Sequence, residues 1–444
     1  MTSRVVTSRV VTSRHQGRRA RLRKWSTVAV VGLVAAGCSS AAHSAATPTP
    51  GTTAAATTTV PGDTTGITAS SITIGQVDTN SGPFPGGAQK SFDALKAFVA
   101  YVDSRGGVHG RQLKLVQEDD GFNCNTYTSD MRGLDGSAFA SVGNFALLDA
   151  CGLTVLKADP TFPDIQGYVL DGALLGLPNV TAPSPAPYGY PTTGAVWIKN
   201  KFPQDITHTA SLYVAAEVAS ANGIASAYQA EGFVYVYKRG IAITETNFTA
   251  DVLRMKADGV KVVDLGAMSA GQVADFIQEA DQQNFHPDAI VSAVAYDPSL
   301  FKLIGAANAD DVYMPLGFPL FLGQDLPTNP ELATMTTWMD KAHPGEVPDL
   351  YAVTAWAAGD LFVQALDAAG PNPTRSSFLA ALDGITHFDA NGLLPPSDPG
   401  QKQGATCMVI VGVSGAQFVR LDPATKGFEC DGTYNHITAA QATG

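Results

Sequence analysis

Two rhythms alternate along most of this chain. Residues 72–77 (ITIGQV) switch between apolar and polar positions as a strand does. A turn-rich stretch follows at 80–87, and then Phe92, Leu95, Val99 and Val102 recur at helical spacing. Gly106 and Gly107 end that helix, as a left-handed cap requires. Leu113 and Leu115 begin a second strand, which Asp119, Asp120 and Gly121 close. Residues 139–145 and 209–214 predict further strands, the latter followed by an alanine-rich helix to about Gln229. Strand 233–237 precedes a helix opened by Asn247, Phe248 and Thr249, and strand 260–265 precedes the stripe Val273, Phe276, Ile277 and Ala280. Strands follow at 289–294 and 312–316. Asn329 and Pro330 supply an N-cap and a first-turn proline to a helix carrying Leu332, Met335 and Met339 on one face. Such alternation predicts an α/β fold of mostly parallel sheets flanked by helices. The pattern changes near the end, where 407–413 and 417–421 flank Ser414, Gly415 and Ala416 as a hairpin.

Neither rhythm is present before residue 70. Eight basic residues (Arg4, Arg9, Arg14, Arg18, Arg19, Arg21, Arg23 and Lys24) precede an apolar run over 28–37, with no acid among them. This is the layout of a secretory signal. The run is about half the roughly 20 apolar residues that a membrane span needs. Ala35, Ala36 and Gly37 place small residues before Cys38, which resembles the lipid-acceptor cysteine of bacterial lipoproteins, although Ala35 stands where that signal usually has leucine. The expectation is a signal peptide over 1–37, lipidation at Cys38, and a flexible Thr/Ala/Pro spacer over 38–69. An ordinary signal with an incidental cysteine is the alternative.

Charge narrows the partners. Removing the eight leader cations from the chain's 28 basic residues leaves 20 against 40 acidic ones, a net −20. Phosphate backbones and anionic headgroups repel such a body, so nucleic-acid binding is not expected. The roughly 370 residues after the spacer exceed what one core holds, which predicts two lobes. Setting Cys38 aside, Cys124, Cys151, Cys407 and Cys430 predict two disulfides in an exported protein. Three pairings are open; Cys124–Cys151 with Cys407–Cys430 closes the shortest loops. No Cys-x-x-Cys is present, and no metal or cofactor is predicted.

Several stretches resemble the type I periplasmic binding proteins, in the branch of the leucine/isoleucine/valine-binding protein. They are Ser81-Gly82-Pro83 after the first strand, the helix end and turn at 102–113 (VDSRGGVHGRQL), and Asp119-Asp120. Asn247-Phe248-Thr249 with Lys256-Ala257-Asp258-Gly259-Val260, and Tyr296-Asp297-Pro298, extend the likeness over most of 70–320. Cys124 and Cys151 are placed like a disulfide of that family. The resemblance implies a two-lobe clamshell whose chain crosses between lobes three times, near Thr193, Phe318 and Gly400. It puts lobe 1 at 70–193 and 319–400, lobe 2 at 194–318 and 401–435, and a tail at 436–444. Ligand would lie in the cleft at the carboxyl ends of the strands, as in open α/β sheets generally.

The family's amino-acid contacts carry over poorly. Where it holds the ligand carboxylate with a serine, this chain has Phe145, Ala146 and Leu147; where it holds the ammonium with a glutamate, Ser299 follows Pro298 and Asp297 is the nearest acid. Ser81 and the N–H groups of its glycine-rich loop could receive a carboxylate. The remaining candidates are aromatic or apolar: Phe84, Phe145, Leu147, Tyr188, Tyr190, Tyr296 and Phe318. Such walls suit a moderately apolar small molecule.

Catalysis is not expected. There is no Gly-x-Ser-x-Gly elbow and no His-Glu-x-x-His, and Gln89 replaces the glycine that a phosphate loop needs before Lys90-Ser91. The sequence predicts a monomeric, lipid-anchored solute-binding protein that hands a small molecule to ATP-binding-cassette (ABC) permease subunits. A ligand sensor uncoupled from transport and an envelope hydrolase are the alternatives.

Overall fold

The computed structural model describes residues 62–83, 87–186 and 188–443. The signal, Cys38 and Phe84 lie outside the described residues. The first part runs β1 (Ser71–Asp78), α1 (Gln89–Ser104), β2 (Gln112–Asp119), α2 (Cys124–Asp135), β3 (Ala140–Asn144), α3 (Leu153–Ala158), β4 (Asp164–Gln166) and β5 (Val180–Thr181). These strands form one parallel sheet in the order β2-β1-β3-β4-β5. Ile72 and Ile74 of β1 and Ala140 and Val142 of β3 are fully buried, as strands covered on both faces must be. The predicted glycine stop is realised: Gly106 and Gly107 have φ of 98° and 71°, and Gly107 N–H donates to Val102 C=O.

The chain then forms β6 (Gly189–Pro191), α4 (Thr193–Lys201), β7 (Thr209–Val214), α5 (Val218–Ala230), β8 (Tyr235–Ile241), α6 (Thr249–Ala257), β9 (Val262–Asp264), α7 (Ala270–Gln282), β10 (Ala289–Val291), α8 (Leu300–Ile304) and β11 (Val312–Leu316). Helices α9 (Pro330–Ala342), α10 (Leu350–Ala369) and α11 (Arg375–Asp383) return to the first sheet. There Phe98 of α1 meets Trp356 of α10 edge-on at 5.1 Å, and Phe139 meets Phe378 of α11 at 5.3 Å. The hairpin β12 (Val409–Ser414) and β13 (Gln417–Asp422) joins the second sheet antiparallel, giving the order β13-β12-β11-β10-β9-β7-β8.

The chain thus passes between the two layers three times: after β5, after β11 and after α11. This is the two-lobe α/β architecture. The passages are tied to one another. β14 (Tyr434–His436) pairs antiparallel with β6, Thr192 N–H donates to Thr433 C=O at 2.8 Å, and Thr193 Oγ1 donates to Thr406 C=O at 2.6 Å. Packing there is tight enough that a Cβ on Gly432 would stand 2.3 Å from Thr193 N. Cys124 is joined to Cys151 and Cys407 to Cys430, the shortest-loop pairing.

Several expectations need correction. Residues 62–69, read as the end of a spacer, dock on the body: Asp63 C=O accepts from Arg375 N–H at 2.8 Å, and Ile67 bridges to Ile72. Within the residues read as a tail, His436 ends β14 and Ala439–Thr443 form α12, and Asn222 Nδ2 of α5 donates to Ala442 C=O at 2.9 Å. The strand expected at 233–237 is β8, shifted to Tyr235–Ile241. It is a sheet edge, and Lys238 and Arg239 interrupt its apolar pattern as edge strands often require. Helix α10 was not foreseen, because its apolar residues surround the helix and leave no stripe to read.

Candidate ligand-binding site

The carboxyl ends of both sheets face one cavity of about 210 Å³. From the first lobe come Phe145 after β3, the segment 167–170 after β4, Ser184 after β5, and Tyr351 of α10. From the second come Glu217 after β7, Gly266 and Met268 after β9, Ala293 and Val294 after β10, and Phe318 after β11. Tyr190 of β6 and Tyr434 of β14 line it from the connecting strands.

Buried carboxylates shape the first-lobe wall. Phe145 N–H donates to Asp78 Oδ1 at 2.6 Å, which turns the chain into the cavity directly as β3 ends. Asp149 accepts from Leu170 N–H at 2.7 Å and Asp171 N–H at 3.1 Å, fixing the loop after β4. Burial pushes the Asp149 carboxyl up to about 7 despite those donors. Asp171 Oδ1 in turn accepts from Tyr188 Oη at 3.3 Å, seating that ring in the wall.

Glu217 is half-buried, because it borders the cavity while protein surrounds it otherwise. Burial alone raises its carboxyl to about 7. Burial raises the hydroxyls of Tyr168 and Tyr351 above the ordinary tyrosine value, and the Glu217 charge adds to the effect. Tyr434 Oη is buried without a hydrogen-bond partner. Apart from Glu217, no charged side chain lines the cavity among the described residues.

Of the residues singled out in the sequence, Phe145, Tyr188, Tyr190 and Phe318 line this cavity. The others do not. Ala146 and Leu147 turn into the core, with Leu147 N–H donating to Thr79 Oγ1 at 3.0 Å. Tyr296 packs edge-on against Phe321 and Phe418, each at 4.8 Å, and its hydroxyl accepts from Leu322 N–H. Asp297 Oδ1 accepts from Ser299 N–H at 2.7 Å, which makes it a local turn former. Ser81 cannot offer its N–H to an anion, because Asp119 Oδ1 already accepts from Asn80, Ser81 and Gly121 N–H at 2.9, 3.2 and 3.0 Å. Sequence reading missed Glu217, Tyr168, Tyr351 and Tyr434. Glu217 was within reach, since it follows a predicted strand at the end where such sheets bind ligands. No local pattern marks Tyr434.

Away from the cavity, donor atoms of Asp93, His343 and Glu346 lie within 4.8 Å of one another. Gln89 Nε2 donates to Asp93 at 3.1 Å and His343 Nε2 lies 3.1 Å from the same carboxylate, while His343 Nε2 and Glu346 Oε2 are buried without a hydrogen-bond partner. No helix among the described residues is long and apolar enough to cross a membrane.

Two lobes, a threefold connection and a cavity at facing strand ends define a ligand trap. Residues 71–417 match the periplasmic binding proteins, and the chain belongs to that family. Solved structures with the same fold include a fatty acid ABC transporter substrate-binding protein from Thermomonospora curvata (TM-score 0.70, 18% identity, covering 81% of this chain and 93% of that one). A branched-chain amino acid ABC transporter protein from Thermus thermophilus with bound valine matches with TM-score 0.69 at 16% identity, over 80% and 96% of the two chains. A solute-binding protein from R. palustris in complex with benzoate matches with TM-score 0.63 at 19% identity, over 81% and 98%. No curated protein matches the sequence significantly.

Proposed function

We propose that this chain is a lipid-anchored, extracytoplasmic solute-binding protein, held at Cys38, that traps a small and largely apolar molecule between its lobes and delivers it to an ABC-type importer. The observation that carries this reading is the cavity, whose wall is drawn from both lobes and from the strands that join them. A molecule bridging both walls stabilises the closed arrangement over an open one by its differential contacts. Glu217 is the wall's one charged residue among those described, which supports a binding site over a catalytic one. The names of the structural neighbours, a fatty acid ABC transporter substrate-binding protein and ABC transporter proteins with bound valine and in complex with benzoate, support a transport role. Phe145, Tyr188 and Phe318 are the residues predicted from sequence that would touch solute, with Tyr190 beside them.

The test is a thermal-shift screen of the intact protein against amino acids, aromatic acids, short-chain acids, amines and sterol-like compounds. A true solute raises the melting temperature with the logarithm of its concentration above Kd. Release of a chemically altered product would overturn the reading, as would no response from any compound.

A further inference from the structure

The charge and ring inventory of the cavity selects among solutes. Tyr168, Tyr188, Tyr190, Tyr351, Tyr434, Phe145 and Phe318 bring seven aromatic rings to the cavity, contributed by both lobes and the connecting strands. No lysine, arginine or histidine joins them among the described residues. Two cations elsewhere are engaged: Lys402 Nζ donates to Leu175 C=O at 3.0 Å, and Arg239 is held between Glu245 and Asp251. Glu217 stands at the N-cap position of α5, one residue before Val218, where a helix start would otherwise favour a ligand carboxylate.

We infer that the trapped solute is an organic cation, with its apolar body against these rings and its ammonium group directed to Glu217. The inference rests on the solute-binding reading. A half-buried carboxylate with no hydrogen-bond partner among the described residues costs free energy that an ammonium ion recovers by direct pairing. Aromatic faces attract the same charge through their quadrupoles, most strongly when water is excluded. An anionic solute would add a second negative charge to a wall with no counter-charge. The unpartnered Tyr434 hydroxyl offers one further polar contact within the same cavity. This departs from the amino-acid readers, whose carboxylate-holding serine has no counterpart at Leu147.

The test uses isothermal titration of the intact protein at pH 8 with matched skeletons of two lengths, benzyl and 3-phenylpropyl. Each skeleton is offered as primary amine, trimethylammonium, alcohol and carboxylate. The cations are expected to bind at least roughly tenfold more tightly than the carboxylates, and Glu217→Gln to weaken the amine by a similar factor and the alcohol by far less. The alcohol arm shows that the variant's cavity is intact. Tighter binding of the carboxylate, or an unchanged amine affinity in Glu217→Gln, overturns the inference and leaves the solute-binding reading standing. Binding in no arm, with a hit among the acids or amino acids of the broad screen, overturns the inference alone. Binding nowhere overturns both.

Discussion

The ring of Phe145 lies 4.2 Å from that of Tyr351, centroid to centroid, and inclined to it by 32°. One ring belongs to the loop after β3 and the other to the first turn of α10, so this contact ties two parts of the cavity wall together, one of them the longest helix among the described residues. Phe145 is 3% exposed and also meets Tyr168 at 6.3 Å. Phe145→Ala is therefore expected to cost about 3 kcal/mol of stability and to weaken any bound solute as well. Urea unfolding and titration on the same variant check both effects. Loss of under about 1 kcal/mol, with affinity retained, would refute a ring shared between core and site.

Arg375 is the second place where distant segments meet. Its Nη1 lies 3.0, 3.1 and 3.4 Å from carboxylate oxygens of Asp63, Asp135 and Asp159, and its other nitrogens donate to the carbonyls of Asp135, Ala138 and Phe139. The side chain is 2% exposed and stands over the ring of Phe162. Arg375→Met would leave three backbone carbonyls without a donor and three acids without their cation. A loss of about 3–5 kcal/mol is expected, with faster proteolysis at 62–69, because Asp63 anchors that segment. A melting temperature and cleavage rate equal to those of the parent would show that the cluster is dispensable.

The contrast between strands and site explains what the sequence made legible. β11 was read at its exact bounds because five consecutive buried residues stand between turn signals. α9 was read from Asn329 and Pro330, and the Asn329 side chain does accept from Leu332 N–H at 2.9 Å. Both signals are local. Arg375 carries no local signal, because its partners lie more than 200 residues away in sequence. The cavity failed in part for the same reason: Tyr351 and Tyr434 reach it only once α10 has packed on the first sheet and β14 has paired with β6. Tyr296 misled because an aromatic residue after a strand looks the same in sequence whether it faces a cleft or, as here, Phe321 and Phe418.

Enclosed carboxyls set the pH response of the folded protein. Burial raises Asp149 and Asp164 to about 7 and Asp264 to about 6, in each case as the largest influence. Such a group binds more protons folded than unfolded between its ordinary value near 4 and its raised one. Its contribution is fully present below the unfolded value and is lost as pH rises through the folded one. Asp63, Asp119, Asp159 and Glu245 shift the opposite way, held low by hydrogen bonds or by arginine, and they favour the fold only above about pH 4. The two sets together place maximal stability near pH 5. Calorimetry of the solute-free protein is expected to show a melting temperature several degrees higher at pH 5 than at pH 8. Asp164→Asn removes one titrating group, although Asn144 Nδ2 and Gln166 Nε2 then compete for a single acceptor oxygen. That variant should melt lower at pH 5 and vary less between the two pH values. A parent protein that melts as high at pH 8 as at pH 5 would mean that these carboxyls keep their charge inside the fold.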